Sequence, residues 1–331
     1  MKINHSVDFV TRPVSIYFDL LTPEESPDEF EDSEQKPLIV MLHGGAHTGT
    51  CYLRTAEGLP GWAYHFASRG YTVAVPDWPG HGRSGALDLS ILTGERVCQA
   101  LCSLLSHLDR PVILLSHGMS SAFGWRLTEL CGDNILAHVA IAPAPPGNIH
   151  PEPEVLCDNE DGLLIRTPFR ISNFPKENAF LATPEFAATH FVGGSRHFSK
   201  EGLVSYTALL THTGLRLLHE RLNVYGSQLR VQDTTCFIGK PVMVVTGGED
   251  LDHPRHVDKA IADWIAEQGA SVNFAWLPDY GITGNGHMLM MERNSDQIAD
   301  VILDWLDARF GWQTHDLPSE AAWLSMMATH K

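Results

Sequence analysis

Leu114-Leu-Ser-His-Gly-Met-Ser-Ser121 joins an apolar run, Pro111–Leu115, to a helical pattern, Ser120–Leu130. A short run that is apolar throughout reads as a strand buried on both faces. The change from strand to helix within a few residues demands a sharp turn, and Gly118 stands at its point. Glycine takes strained backbone angles that other residues resist. This strand, turn and helix set the frame for everything on either side.

The same alternation extends outward. Pro37–Leu42 is a second buried strand, entering His43-Gly44-Gly45. A helix over Gly61–Arg69, a strand at Tyr71–Val75 and a helical stretch at Ser90–Leu108 follow. Beyond the turn come a strand at His138–Ile141, another at Pro241–Val245, a helix at Pro254–Gln268 and a last strand at Val272–Leu277. An amphipathic helix, Ser295–Phe310, closes the pattern. Strands alternating with helices predict an α/β fold, with a mostly parallel central sheet flanked by helices. Val7–Leu20 predicts one or two antiparallel strands.

Between residues 147 and 240 the alternation stops; scattered aromatics, prolines and a single helix expected at Leu203–Leu222 replace it. This segment reads as a cap inserted over the carboxyl edge of the sheet, where open α/β sheets bind ligands. The core is then 1–146 with 241–331, and the cap 147–240.

Composition narrows the function classes. A net charge of −17 argues against nucleic acid or anionic membrane as a partner. Seven acidic residues between Glu24 and Glu34 read as a solvated surface loop. Six cysteines without C-x-x-C spacing read as reduced core residues, Cys98 and Cys102 one helical turn apart. Met1–Val14 has no basic stretch followed by an apolar run, and no segment approaches the ~20 apolar residues of a membrane span. The expected compartment is the cytoplasm. A homodimer stays open.

Three segments, in order, resemble the α/β-hydrolase family. Ser116-His-Gly-Met-Ser120 resembles its nucleophile elbow, Gly247-Gly-Glu-Asp-Leu-Asp-His-Pro254 its acid loop, and Gly284-Asn-Gly-His-Met288 its histidine loop. The last segment, with the helix behind it, is similar to a bacterial carboxylesterase subgroup whose elbow reads S-H-S-x-S. Here glycine, Gly118, occupies the centre, and Ala142 stands where that subgroup can carry its acid.

The resemblance implies a small-molecule substrate, a carboxylic ester or lactone with an apolar or aromatic part, and no cofactor. It implies Gly118 at the nucleophile position, His287 as base and Asp250 as the acid that orients it, with Asp252 as fallback. Backbone N–H groups of Gly45, or Ala46, and of Met119 would form the oxyanion hole. Ala46, His117 and Trp125 are candidate substrate contacts, and Phe180, Phe186, Phe191 and Tyr206 either line an apolar pocket or pack the cap. A rival register, Gly118-Met-Ser-Ser-Ala122, would make Ser120 the nucleophile. Asp250, Asp252, His253 and His256 show no recognised metal-ligand spacing.

A glycine at the tip removes the attacking oxygen. Two accounts stay open: a serine hydrolase whose nucleophile has been replaced, or a chain in which glycine belongs and the His287–Asp250 dyad acts directly. The second would suit a cofactor-independent oxygenase or lyase. A scaffold that binds ligand without turnover is the third class.

Overall fold

The computed structural model describes residues 2–23, 36–174 and 179–311. The acidic run at 24–34 lies outside them. In chain order the first half holds β1 (Ile3–Val10), β2 (Ile16–Pro23), β3 (Leu38–Leu42), α1 (Thr50–Leu53), α2 (Trp62–Ser68) and β4 (Val73–Pro76). Then come α3 (Gly94–Leu108), β5 (Val112–His117), α4 (Ser120–Leu130) and β6 (Ile135–Ile141).

An insertion follows, with β7 (Glu154–Asn159), β8 (Gly162–Arg166), β9 (Ile171–Phe174), β10 (Ala179–Leu181), α5 (Pro184–Phe186), α6 (Lys200–Thr207), β11 (His212–Gly214) and α7 (Leu215–Arg221). The chain returns to the main sheet with β12 (Pro241–Thr246), α8 (Arg255–Glu267), β13 (Ser271–Trp276) and α9 (Ser295–Phe310).

The main sheet has eight strands in the order β1-β2-β4-β3-β5-β6-β12-β13. β1 and β2 form an antiparallel hairpin at one edge, and β2 also runs antiparallel to β4. The pairings from β4 to β13 are parallel, so their carboxyl ends share one edge. β5 lies centrally between β3 and β6. The insertion leaves after β6 and rejoins at its sheet neighbour β12.

Alternation along the strands sorts the core into two sides, because successive side chains leave a strand on opposite faces. Ile39, Met41, Ile113 and Leu115 pack with α2 and α9. Leu38, Val40, Leu42, Val112 and Leu114 pack with α3 and α4. Every residue of β3 and β5 is buried, as the apolar runs require.

Two differences from the sequence reading matter. β5 continues past Leu115 through Ser116 and His117. Those polar residues are tolerated in the sheet because Ser116 Oγ meets His138 Nε2 at 2.7 Å and Ser121 Oγ at 2.9 Å. The single helix expected at Leu203–Leu222 is instead α6, the short strand β11 and α7. β-branched Thr211 and Thr213 with Gly214 suit a strand better than a helix, and β11 pairs antiparallel with β10. The break also brings Thr213 onto the loop after β3, where its Oγ1 accepts from the Ala46 amide at 2.6 Å.

Candidate active site

The turn after β5 is closed by its own backbone. Gly118 has φ of 53°, in the left-handed region that glycine enters without a steric cost. Its N–H donates to the Ile141 carbonyl at 2.9 Å, and its carbonyl accepts from Ser121 N and Ala144 N. An ideal Cβ at Gly118 would have His287 Nε2 at 3.2 Å and Cε1 at 3.6 Å as its nearest neighbours. Gly118 therefore presents its α-carbon to that imidazole.

Ser120 lies outside this encounter. Its hydroxyl is fully buried, 2.9 Å from the Leu42 carbonyl and 3.0 Å from both the amide and the carbonyl of His117. The side chain ties α4 to β3, and its hydroxyl is taken up by these partners.

His287 Nδ1 is 2.8 Å from Asp250 Oδ2, leaving Nε2 free to exchange a proton on the Gly118 side. Burial alone would raise the Asp250 pKa, but the adjacent His287 and His253 bring it below the ordinary carboxylate value. The neighbouring acids are committed elsewhere: Asp252 pairs with Arg170, and Glu249 with Arg196. α8 is N-capped by Pro254, so Asp250 does not cap that helix.

The loop carrying His287 is anchored by Glu292, a buried carboxylate. It accepts from the Gly286 amide at 2.7 Å, from Asn285 Nδ2 and from Ser195 Oγ. His253 forms a second layer. Its ring stacks on His287 with centroids 5.0 Å apart, and its Nδ1 lies 2.9 Å from Asp258 Oδ1. Burial by itself would lower the His253 pKa, yet Asp258 and Asp250 lift it to about 9.

Ligating atoms of Asp250, His253 and His287 all lie within 4.8 Å of one another. Both histidines already bind a carboxylate through Nδ1, and their rings stack at 24°.

Across from His287 lies the loop after β3. His43 Nε2 accepts from the Trp78 amide, so its Nδ1–H donates to the Gly44 carbonyl. The buried Asp77 carboxylate accepts from the Gly49 amide and from Arg83. A Cβ on Gly44 would come within 2.7 Å of His117 Nδ1, so only glycine permits this approach. Among the described residues, the Gly45 and Met119 amides have no hydrogen-bond partner. The Ala46 amide, by contrast, is taken by Thr213, and Ala46 holds a positive φ of 64°. Its N–H is therefore occupied.

His117 touches His287 (centroids 4.6 Å) and donates through Nε2 to the His287 carbonyl at 3.2 Å. Burial pushes the pKa of His117 well down and that of His47 to about 3, so both rings are neutral. The insertion closes over them. Phe191 stacks on His287, Tyr206 Oη bonds His47 Nε2 at 2.8 Å, and Phe186 and Phe180 continue the ring-to-ring contacts from Phe191. Trp125 does not belong here. It is fully buried beneath α4 against Phe237 and His138, with Nε1 donating to the Ala144 carbonyl. Its place on the inner face of α4 turns it into the core, which corrects its reading as a substrate contact.

The sequence profile of the alpha/beta hydrolase family matches residues 39–301, spanning β3 to α9. The chain belongs to the alpha/beta hydrolase family. Among relatives of this hydrolase, a probable secreted lipase of a fungus (strain ATCC 74256) is 24% identical, covering 81% of each chain. A magnesium-chelatase 30 kDa subunit of Rhodobacter capsulatus is 25% identical over 82% of this chain and 87% of its own.

A bacterial esterase structure superposes with a TM-score of 0.53 at 19% identity, covering 93% of this chain and 92% of that one. A serine hydrolase involved in carbazole degradation gives 0.58 at 15% identity, covering 92% of this chain and all of its own. At these identities the structural likeness speaks for the fold. Among the described residues no helix of the hydrolase is long and apolar enough to cross a membrane.

Sequence reasoning missed His253, Thr213, His47 and Glu292 as neighbours within this candidate site. Glu292 carried a signal, since a lone acid after the apolar run Met288–Met291 is unusual company for a core segment. Thr213 carried none, because its role depends on a break inside an apparent helix.

Proposed function

We propose that the chain is a hydrolase of the carboxylic ester or lactone type, present in a form that lacks the nucleophile at position 118. The observation that carries this reading is the 3.2 Å between a Cβ built on Gly118 and His287 Nε2. A serine there would stand within reach of an imidazole already oriented by Asp250. It would attack the substrate carbonyl while His287 took its proton, and Asp250 would hold the tautomer and the charged ring. The unpartnered amides of Gly45 and Met119 would receive the developing oxyanion. The rings of Phe191, Phe186 and Phe180 support an apolar or aromatic substrate part, beneath an insertion acting as a cap.

The test is Gly118→Ser with short p-nitrophenyl esters. The expected result is turnover well above that of the glycine form; equal rates for the two would overturn the reading.

A second reading is favoured by the intact dyad. The glycine leaves His287 Nε2 with no side chain of residue 118 beside it, so His287 with Asp250 would act as base on a substrate directly. Turnover by the unaltered chain, lost in His287→Ala, is the result that this reading requires.

A further inference from the structure

The six cysteines are not equivalent. Cys51 and Cys98 are buried, Cys157 is exposed, and Cys102, Cys131 and Cys236 are half-buried. Cys102 Sγ and Cys131 Sγ approach to 2.6 Å. That is about half an ångström beyond the ~2.05 Å of a disulfide bond, and too close for thiols that merely pack.

Their positions are set by core helices. Cys102 lies on α3 one turn beyond Cys98, whose Sγ faces the Phe123 carbonyl of α4 at 3.9 Å. This side of α3 therefore runs along α4. Cys131 is the C-cap of α4, and its amide donates to Leu127 at 2.8 Å. Neither sulfur needs the chain to rearrange in order to reach the other.

We propose that Cys102 and Cys131 form a reversible disulfide site that ties α3 to the far end of the elbow helix α4. Either sulfur can donate to the other, so the contact holds one as a thiol beside the other's thiolate. The co-reactant is a small-molecule disulfide such as oxidised glutathione. One of the two cysteines, after losing its proton to solvent, attacks one sulfur of that disulfide, releasing one glutathione thiolate and leaving a mixed disulfide on the protein. The other cysteine then gives its proton to solvent and displaces the second glutathione, forming the Cys102–Cys131 bond. Two protein thiols are oxidised, and one small disulfide is reduced to two thiols. The closed loop, residues 102 to 131, contains β5, Gly118 and α4, so oxidation restrains the turn that faces His287. The site stands independently of the hydrolase reading.

The test treats the folded full chain with oxidised glutathione, blocks free thiols with N-ethylmaleimide, and maps the peptides by mass spectrometry. The expected product is a Cys102–Cys131 cross-linked peptide pair, lighter than the two reduced peptides by two hydrogens. The oxidised chain should also melt several degrees higher than the reduced chain. Cys102→Ser and Cys131→Ser should each abolish both effects. Maleimide on both cysteines, glutathione on each without a cross-link, or a bond to Cys98 instead would overturn the proposal.

Discussion

A Cβ on Gly118 would stand 3.2 Å from His287 Nε2, on a residue whose φ is 53°. The two facts belong together. The backbone that points position 118 at the imidazole is also the backbone that glycine enters most freely. Any side chain placed there gains the histidine as a neighbour and takes on strain from the turn.

That strain gives the first expectation. Gly118→Ser should be less stable than the unaltered chain by roughly 1–3 kcal/mol. Urea unfolding at neutral pH measures the difference, and a serine variant of equal or greater stability would remove position 118 from the point of the turn.

Asp250 should matter only when there is something for His287 to activate. In a Gly118→Ser background, Asp250→Asn should lower ester turnover by on the order of 10³–10⁴-fold, by holding the wrong tautomer at His287. Steady-state rates decide this; a loss below tenfold would point to another acid, such as Asp252.

Ser120 should behave as a structural residue. Its hydroxyl joins Leu42 to the turn, so Ser120→Ala should cost about 1–3 kcal/mol of stability. In the Gly118→Ser background, turnover should stay within a few-fold. Abolished turnover in a folded variant would restore the rival register.

Stability should fall on both sides of neutrality. His253 has a folded pKa of about 9, above its ordinary value of 6.5. Its stabilising contribution is complete below pH 6.5 and is lost as pH rises through 9, on the order of 3 kcal/mol. Burial lowers His43 to about 4, and His47 and His138 to about 3. These rings favour folding above pH 6.5, and that contribution is lost as pH falls towards 4. Denaturation curves across pH 4–10 check both arms, and His253→Gln should flatten the alkaline one alone.

The frame of the molecule was legible in the sequence because buried parallel strands leave continuous apolar runs. Leu38–Leu42, Val112–His117 and Pro241–Thr246 all lie where such runs predict strands. The encounter of Gly118, Asp250 and His287 was legible as an order of loops. Strand pairing then brings residues 37 positions apart, Asp250 and His287, to 2.8 Å. The insertion was read poorly, because its short elements rest on contacts with the core. Thr213 is the clearest case: a helical-looking stretch is broken to bond the Ala46 amide. Trp125 failed in the opposite sense, since helix periodicity turns it towards Phe237 and away from Gly118.

The central claim is that position 118 is where the nucleophile of this fold would stand. Reaction with a fluorophosphonate, followed by intact mass and peptide mapping, tests it most directly. Gly118→Ser should gain one adduct, mapped to residue 118, and should lose it in His287→Ala; the glycine chain should gain none. An adduct on Ser120 of the unaltered chain, or no adduct on the folded serine variant, would contradict the account.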